Sequence, residues 1–572
     1  MDSDYNFLFL SDLHLSEGYY PGTGKLSRNE DFFHDEAFAR FLFYHINLSQ
    51  ANIDKAYFRR PWKLIINGDI FDFLQVTSKP LSDEELRQII GDRELTDNER
   101  SFGLGTSSRA TVWKLGQIKQ GHPLFFQALG WFLAHEGNEV LMLKGNHDVE
   151  LFWPQVQARL REVVVEAYQE WYEGVHSGSL ADSPLPLRDY LPAGLSLEKV
   201  SRRMHFPAWF YHEPGLFYVE HGCQYDPANA FDNFLEPILE MDRDKPLEEQ
   251  RIALPFGSFF VRYFFNKVEQ VHPFSDNMKP LLRYIRWALL KEPVATAEML
   301  TRHYEVLPKL LWELFEKRIG RAKEEAPGKQ NHAPAPEDPG AHQVPLERAR
   351  WQALYRIRDE HREKVRRESQ KLSQGTAAGV ALNGGVAYFL ARAMRHFVDG
   401  KYGRMVGSLL AAWGAFVGGS FLSSKLDQLE DYVSLANVAE RICCELNRPG
   451  ADGKAVSVRF HIFGHDHQAN LKELQDRSRH RPPYHQWYVN TGSWLPSFDE
   501  RNRLTRGDVQ FTFLRIIPGV DDDRLPQLLE WRPQTNSVRS IQLFGPEPTA
   551  APEVAEEEGF EPVVEGLPDV AP

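Results

Sequence analysis

Histidines, carboxylates and one amide recur at short spacings in five places along the chain. These places are Asp12-Leu-His14, Gly68-Asp69-x-x-Asp72, Gly145-Asn146-His147-Asp148, His221-Gly222 and Gly464-His465-Asp466-His467. Nitrogen and oxygen ligands without thiolates suit borderline divalent metals such as Mn, Fe, Zn, Co or Ni better than they suit Ca. The residue types therefore predict a metal site, and the predicted ligands are Asp12, His14, Asp69, Asn146, His221, His465 and His467.

A carboxylate with two oxygens can bridge two cations that lie about 3.5 to 4 Å apart. Asp69, which leaves an apolar segment through Gly68, is the predicted bridging residue. Such a pair of cations activates water and neutralises charge on a phosphoryl oxygen. The predicted chemistry is therefore hydrolysis of a phosphate ester or pyrophosphate.

His147 is predicted to act in catalysis and not as a ligand. It lies next to Asn146 and can donate a proton to a leaving-group oxygen. Asp72, three residues beyond Asp69, can accept a hydrogen bond from His147 and so fix its tautomer. The predicted catalytic residues are thus His147 and Asp72.

Each of these polar motifs follows a short apolar run, as expected for a strand that ends in a loop. The predicted strands are 6–10, 63–67, 139–143, 215–219, 456–463, 485–490, 508–517 and 538–544, and helical spacing marks 36–48 and 110–135. Alternation of strands and helices predicts an α/β fold whose chemistry lies in loops at one sheet edge. Asp12 and His14 are expected at a strand terminus, where alternate side chains point the same way.

The ordered motifs resemble the calcineurin-like metallophosphoesterase superfamily. The resemblance implies a four-layer fold, with two packed β-sheets between helices, here carrying a large helical insertion. It implies two divalent metal ions, manganese first among the candidates. By this resemblance Asp12, His14, Asp69 and His467 hold one ion, and Asp69, Asn146, His221 and His465 hold the other.

Within the superfamily, Ser11 to Leu15, Asn67 to Phe73 and Glu220-His-Gly222 are similar to the UDP-2,3-diacylglucosamine pyrophosphohydrolases. This similarity implies a small-molecule or lipid-linked phosphate substrate. The chain departs from that group at His147, where the group commonly has Arg, and in its long insertion. A nuclease of the same superfamily and a catalytically silent membrane-associated scaffold are the alternatives.

The net charge and the cysteine content indicate which binding partners and which cellular compartment to expect. A formal net charge of -14 disfavours nucleic acid as a partner. Three cysteines without paired spacing fit a reducing compartment, and the N-terminus carries no export signal. The sequence therefore predicts a cytoplasmic location, with association at the cytoplasmic face of the membrane as a further option.

The predicted organisation has four parts. Residues 1–231 and 453–545 form the two parts of a catalytic domain, 232–452 is a helical insertion or cap, and 546–572 is a disordered acidic tail. Within the insertion, 347–372 is predicted to be a charged helix.

The segment 375–422 inside the insertion contains two apolar stretches. Residues 405–422 include no charged side chain, and a basic connection at 392–404 joins them to the first stretch. The length reaches that of a marginal membrane span. A hairpin at a membrane surface and a buried hairpin in the cap or a dimer interface are both compatible with this pattern, and the oligomeric state is left open.

Overall fold

The computed structural model describes most of the chain outside the predicted insertion and tail. The described residues are 3–20, 24–52, 55–80, 82–177, 194–226, 229–255, 257–258, 261–262, 266, 348–374, 392, 404, 407–408, 434–450, 453–476, 478–496, 509–519 and 526–541.

The described residues form an α/β fold with two mixed β-sheets. The strands are β1 Asn6–Leu10, β2 Trp62–Asn67, β3 Glu139–Leu143, β4 Met204–His205, β5 Phe210–Glu213, β6 Phe217–Glu220, β7 Phe460–Phe463, β8 Ala469–Glu473, β9 Trp487–Thr491, β10 Phe511–Ile516, β11 Gln527–Arg532 and β12 Ser537–Ser540. Sheet 1 has the order β12-β11-β10-β1-β2-β3-β4, and sheet 2 has the order β5-β6-β7-β9-β8. Strands β1 to β4 run parallel, as do β6, β7 and β9. Both sheets thus combine strands from before and after the predicted insertion.

Helices connect and flank the strands. They are α1 Asp35–Ala51, α2 Asp83–Ile90, α3 Asp97–Phe102, α4 Ser108–Gly121, α5 Pro123–Ala134, α6 Pro154–Ser177, α7 Leu197–Arg203, α8 Arg348–Gln374 and α9 Leu435–Asn447. A capping residue or a proline marks the start of several of these helices. The Ser107 hydroxyl caps α4 by accepting from the backbone N–H of Ala110, and Pro123 occupies the first turn of α5, where its missing N–H costs no bond.

The two sheets pack face to face, and helices cover their outer faces. Between the sheets, Phe217 of β6 contacts Phe7 and Phe9 of β1 edge to face, with ring centroids 5.0 and 4.9 Å apart. On the outer face of sheet 1, the ring of Phe41 in α1 lies 4.9 Å from that of Phe513 in β10. On sheet 2, α8 and α9 pack against the outer face. Because both faces of β1 are covered, its run Asn-Phe-Leu-Phe-Leu is buried at every position.

The expected elements occur, with differences in their bounds. The predicted helix over 110–135 is two helices, because Pro123 lacks the N–H that a continuous helix would require. The predicted strand over 456–463 is shorter, since β7 begins at Phe460. Strands β4, β5, β8 and β11 were not among the predictions. The charged helix predicted at 347–372 is present as α8.

Two predictions fall outside the part of the chain that the structure describes. The hairpin at 375–422 lies there, except for four single positions, and so does the tail at 546–572. Among the described residues, no helix is long and apolar enough to cross a membrane.

Candidate metal centre

The five predicted motifs lie in loops that follow parallel strands and meet at one end of the two sheets. In sheet 1 these loops follow β1, β2 and β3, and in sheet 2 they follow β6 and β7. Backbone bonds tie them together. The N–H of Leu13 donates to the Asp69 carbonyl at 2.9 Å, and the N–H of Gly464 donates to the His221 carbonyl at 3.0 Å. Side chains far apart in the sequence therefore converge.

Five of the predicted ligands have left-handed backbone conformations, which L-residues rarely adopt. The φ angles are 55° at Asp12, 52° at His14, 50° at Asp69, 72° at His465 and 59° at His467. Among the other described residues that are not glycine, only Asn536 has a positive φ. Such conformations cost about 1 to 3 kcal/mol each and cluster where function requires a fixed geometry.

The expectation that strand alternation pairs Asp12 with His14 is wrong. Strand β1 ends at Leu10, so both residues lie in the loop beyond it. The left-handed turns, and not strand alternation, bring the two side chains to one site.

Asp12, His14 and His467 form the first cluster of potential ligands. Nε2 of His467 lies 3.2 Å from Oδ1 of Asp12. The rings of His14 and His467 meet edge to face, with centroids 5.2 Å apart. Asp12 and His14 are buried, and His467 is largely buried.

Asp69, His221 and His465 form the second cluster. Nε2 of His221 lies 3.1 Å from Oδ2 of Asp69. The same Asp69 oxygen lies 3.7 Å from Nε2 of His14, a member of the first cluster. Asp69 therefore lies between the two clusters, as a bridging carboxylate would.

Asn146 contributes an amide to the same loops. Its side chain is buried, and within the described structure its Oδ1 and Nδ2 have no hydrogen-bond partner. Its carbonyl accepts a bond of 3.1 Å from the hydroxyl of Ser258. Because Ser258 belongs to the predicted insertion, that segment contacts the site directly.

The buried carboxyl and imidazole groups of the site shift one another's pKa values. Burial would raise the pKa of Asp69, but His221 and His147 outweigh it and hold that pKa well below its usual value. Burial likewise opposes ionisation of Asp12, and His467 more than offsets it, so the pKa is lowered. Burial would lower the pKa of His221, whereas Asp69 raises it to about 9. The carboxyl groups of Asp12 and Asp69 are therefore ionised at neutral pH, and their negative charge favours the binding of cations.

His147 and Asp72 are in direct hydrogen-bonding contact, as predicted. Nδ1 of His147 faces Oδ2 of Asp72, and the other Asp72 oxygen accepts from the backbone N–H groups of Leu74 and Gln75 at 3.0 Å. Burial would raise the pKa of Asp72, but His147 lowers it below its usual value. These two residues and His14 form a third cluster with metal-ligand spacing. Because His147 and Asp72 contact each other directly, we interpret them as a hydrogen-bonded pair and not as metal ligands.

Two glycines permit the close approach of these loops. A Cβ atom at Gly145 would lie 2.1 Å from Oδ1 of Asp69. One at Gly68 would lie 2.5 Å from Nδ1 of His221, and the φ of Gly68 is also positive, at 81°. Neither position can hold a larger side chain without moving a predicted ligand.

Asp148 supports the site in a way that the motifs did not reveal. Its Oδ2 accepts from the backbone N–H of Ile70 at 2.8 Å, and its Oδ1 accepts from that of Gly145 at 2.6 Å. Burial and the nearby Asp69 raise the pKa of Asp148 to about 7. The position of Asp148 directly after His147 could have predicted this supporting role, because a carboxylate beside a ligand loop often fixes that loop.

The donor set fits two divalent cations. Two atoms that each lie about 2.1 Å from one ion are about 3.0 Å apart at an octahedral angle and about 3.4 Å apart at a tetrahedral angle. The 3.1 and 3.2 Å contacts of His221 with Asp69 and of His467 with Asp12 lie within this range. Oδ1 of Asp12, Oδ2 of Asp69 and Nε2 of His221 are buried and, as far as the described residues extend, have no hydrogen-bond partner. Buried polar atoms normally have partners, so these atoms are suited to bind ions.

Comparison of the chain with protein-family models, with curated proteins and with solved structures found no match in any of the three. The functional assignment therefore depends on the geometry and chemistry of the site itself.

Proposed function

We propose that this chain is a dinuclear-metal-dependent phosphoesterase of the calcineurin-like metallophosphoesterase superfamily. The observation that carries the proposal is the position of Asp69, whose Oδ2 lies 3.1 Å from His221 and 3.7 Å from His14, between two clusters of buried ligands. A shared carboxylate between two nitrogen- and oxygen-rich clusters is typical of centres that hydrolyse phosphate esters.

The packing of the sheets supports the same assignment. Two mixed sheets that pack face to face, with helices on the outer faces, agree with the four-layer arrangement expected of the superfamily. The location of the ligands at the ends of parallel strands agrees with it as well.

The residues divide into two ligand sets with one shared member. Asp12, His14 and His467, together with Asp69, would hold one ion. Asp69, His221 and His465, together with Asn146, would hold the other. Two bound cations would supply a nucleophile from water and offset the charge that develops on the phosphoryl group.

His147 is the proposed general acid. The hydrogen bond to Asp72 keeps the proton on Nδ1, and the negative carboxylate stabilises a positive charge on the ring. Nε2 is then the nitrogen that delivers a proton to the leaving-group oxygen. The backbone N–H of His147 donates to Oδ1 of Asp69 at 2.8 Å, which holds the His147 backbone beside the proposed bridging ligand.

The proposed chemistry suits three kinds of phosphate substrate. Two cations and a proton donor suit a phosphate monoester, a phosphodiester or a pyrophosphate. A lipid-linked member of this class remains part of the proposal because of the apolar segment at 375–422.

The test is hydrolysis by the full-length protein loaded with Mn, measured on a monoester, a diester and a pyrophosphate. Asp69→Asn should abolish activity on any ester that the wild type cleaves, because it removes charge from the shared ligand. Asp232→Asn is the matched control, since Asp232 is exposed and pairs with Arg362. Failure of the metal-loaded wild type to cleave any of the three substrate classes would overturn the proposal.

A further inference from the structure

His465 contacts a carboxylate that belongs to neither ligand cluster. Its Nε2 lies 3.2 Å from Oδ2 of Asp226. The His465 side chain is 3% exposed and that of Asp226 is 25% exposed, so the contact is largely shielded from water. The two residues are 239 positions apart in the sequence.

The Asp226 carboxylate is fixed by its own loop. Nδ2 of Asn229 donates to its Oδ2 at 2.7 Å. The Asp226 carbonyl accepts from the N–H groups of Asn229 and Ala230 at 3.0 and 2.8 Å, and the Asp226 N–H donates to the Cys223 carbonyl at 3.2 Å. A single short 3-10 turn, Cys223–Tyr225, separates Asp226 from the ligand loop of His221. The carboxylate is therefore held in place beside the second cluster.

The two histidines of that cluster have different hydrogen-bond partners. Nδ1 of His221 lies 2.8 Å from the carbonyl of Asn67, which can only accept, so Nδ1 carries the proton and Nε2 faces Asp69. In His465 the acceptor is at Nε2 instead. Since an ionised carboxylate also only accepts, Nε2 carries the proton and the lone pair belongs to Nδ1.

We propose that Asp226 is a positioning residue that sets His465 in the Nε2–H tautomer, so that Nδ1 is its metal-binding atom. The inference rests on the proposed function, because it requires an ion in the second cluster. An outer carboxylate both orients such a ring and makes it a better donor to the metal. The second site should therefore depend on Asp226 more than the first, whose cluster of Asp12, His14 and His467 includes no residue of this loop.

The test is a titration of the full-length, metal-free protein with Mn, followed by calorimetry and by the electron paramagnetic resonance signal of spin-coupled Mn pairs. In Asp226→Ala the affinity of one site should fall about 10- to 100-fold and the coupled signal should weaken, while the other site keeps its affinity. Asp226→Asn, which retains an acceptor without the charge, should have a smaller effect. Asp232→Ala is the matched control, and the unfolding midpoint of the metal-free Asp226→Ala protein should equal that of the control.

Four results would overturn the inference. Two sites of wild-type affinity in Asp226→Ala would remove the role of Asp226 and leave the proposed function intact. Equal weakening of both sites, with a lowered unfolding midpoint, would indicate a general structural role. A wild-type protein that binds no Mn would overturn the inference and the proposed function together. A structure of the Mn complex in which Asp226 itself binds an ion would also contradict the positioning role.

Discussion

Nδ1 of His147 donates a hydrogen bond to Oδ2 of Asp72, and both side chains are buried. The remaining Asp72 oxygen is taken by two backbone N–H groups, so the carboxylate cannot turn away from the ring. The pair therefore has one fixed orientation. It lies beside His14, whose ring centroid is 4.3 Å from that of His147.

Replacing His147 by Asn should separate catalysis from metal binding. The proposed general acid is lost, so kcat on a phosphodiester should fall about 10²- to 10⁴-fold. Metal content should remain at the wild-type value, because the bond from His147 to Asp69 comes from the backbone N–H and survives the change. Steady-state kinetics and metal analysis on the same preparation check both expectations.

His176→Asn is the matched control, since His176 is exposed at the end of α6. It should retain full activity. An unchanged kcat in His147→Asn would remove His147 from the mechanism, and a loss of metal in that variant would make it a ligand instead.

Gly145→Ala should damage the metal site through a steric clash. The new Cβ would lie 2.1 Å from Oδ1 and 2.7 Å from the backbone nitrogen of Asp69. Overpacking of this kind costs about 1 to 3 kcal/mol, and here the displaced group is the proposed shared ligand. Chemical denaturation should show the loss of stability, and titration with Mn should show weaker binding.

Gly105→Ala is the matched control, because nothing lies within 4 Å of a Cβ at that position. Its free energy of unfolding should change by less than about 1 kcal/mol. If the two alanine variants bind Mn equally well, close packing of Gly145 against Asp69 does not shape the site.

The location of the candidate site could be predicted because it depends on local sequence. Each motif follows an apolar run that forms a strand, and parallel strands bring their ends to one edge. The His147–Asp72 bond was predictable for a related reason, since the two motifs share that edge. A site whose residues all lie at strand ends can therefore be predicted from the types and the order of those residues in the sequence.

Features that depend on contacts between distant parts of the chain could not be predicted from the sequence. Asp226 has no distinctive spacing from His221, and only the folded chain brings it to His465. Asp12 and His14 were expected to pair through the alternation of side chains at a strand terminus, because no glycine marks the left-handed turns there. Strand β8 is polar at its exposed positions and partly buried at the others, so its apolar pattern is weak.

Binding of Mn should stabilise the folded protein. An ion that binds only the folded state raises the free energy of unfolding by about 2.7 kcal/mol when its concentration is 100 times Kd. Removal of metal by a chelator should lower the thermal unfolding midpoint, and added Mn should restore it. Asp12→Asn should reduce this gain, because Oδ1 of Asp12 is a buried atom that, within the described structure, has no hydrogen-bond partner and lies 3.2 Å from His467.

Scanning calorimetry with and without Mn checks the effect, with Asp232→Asn as the control at an exposed position. The control should gain as much stability as the wild type. An equal gain in Asp12→Asn would exclude Asp12 from the ligand set.

His122 should make stability depend on pH outside the metal site. Its Nε2 lies 3.2 Å from Glu30 and its Nδ1 lies 3.0 Å from Asp35. Burial would lower the pKa of His122, but Glu30 and Asp35 outweigh it and raise the pKa to about 10. Glu30 in turn accepts from the backbone N–H groups of Ser16 and Gly18, so His122 anchors the loop that follows the His14 motif.

A histidine whose folded-state pKa is raised stabilises the protein fully below its unfolded pKa, near 6.5, and loses that contribution as pH rises towards 10. The stability advantage of wild type over His122→Gln should therefore shrink between these values, by up to about 1.4 kcal/mol per pH unit. Denaturant unfolding of the metal-free proteins at several pH values measures it. His176→Gln, at an exposed position, should show no such convergence. A constant difference between wild type and His122→Gln over this range would mean that His122 stays neutral between its two carboxylates.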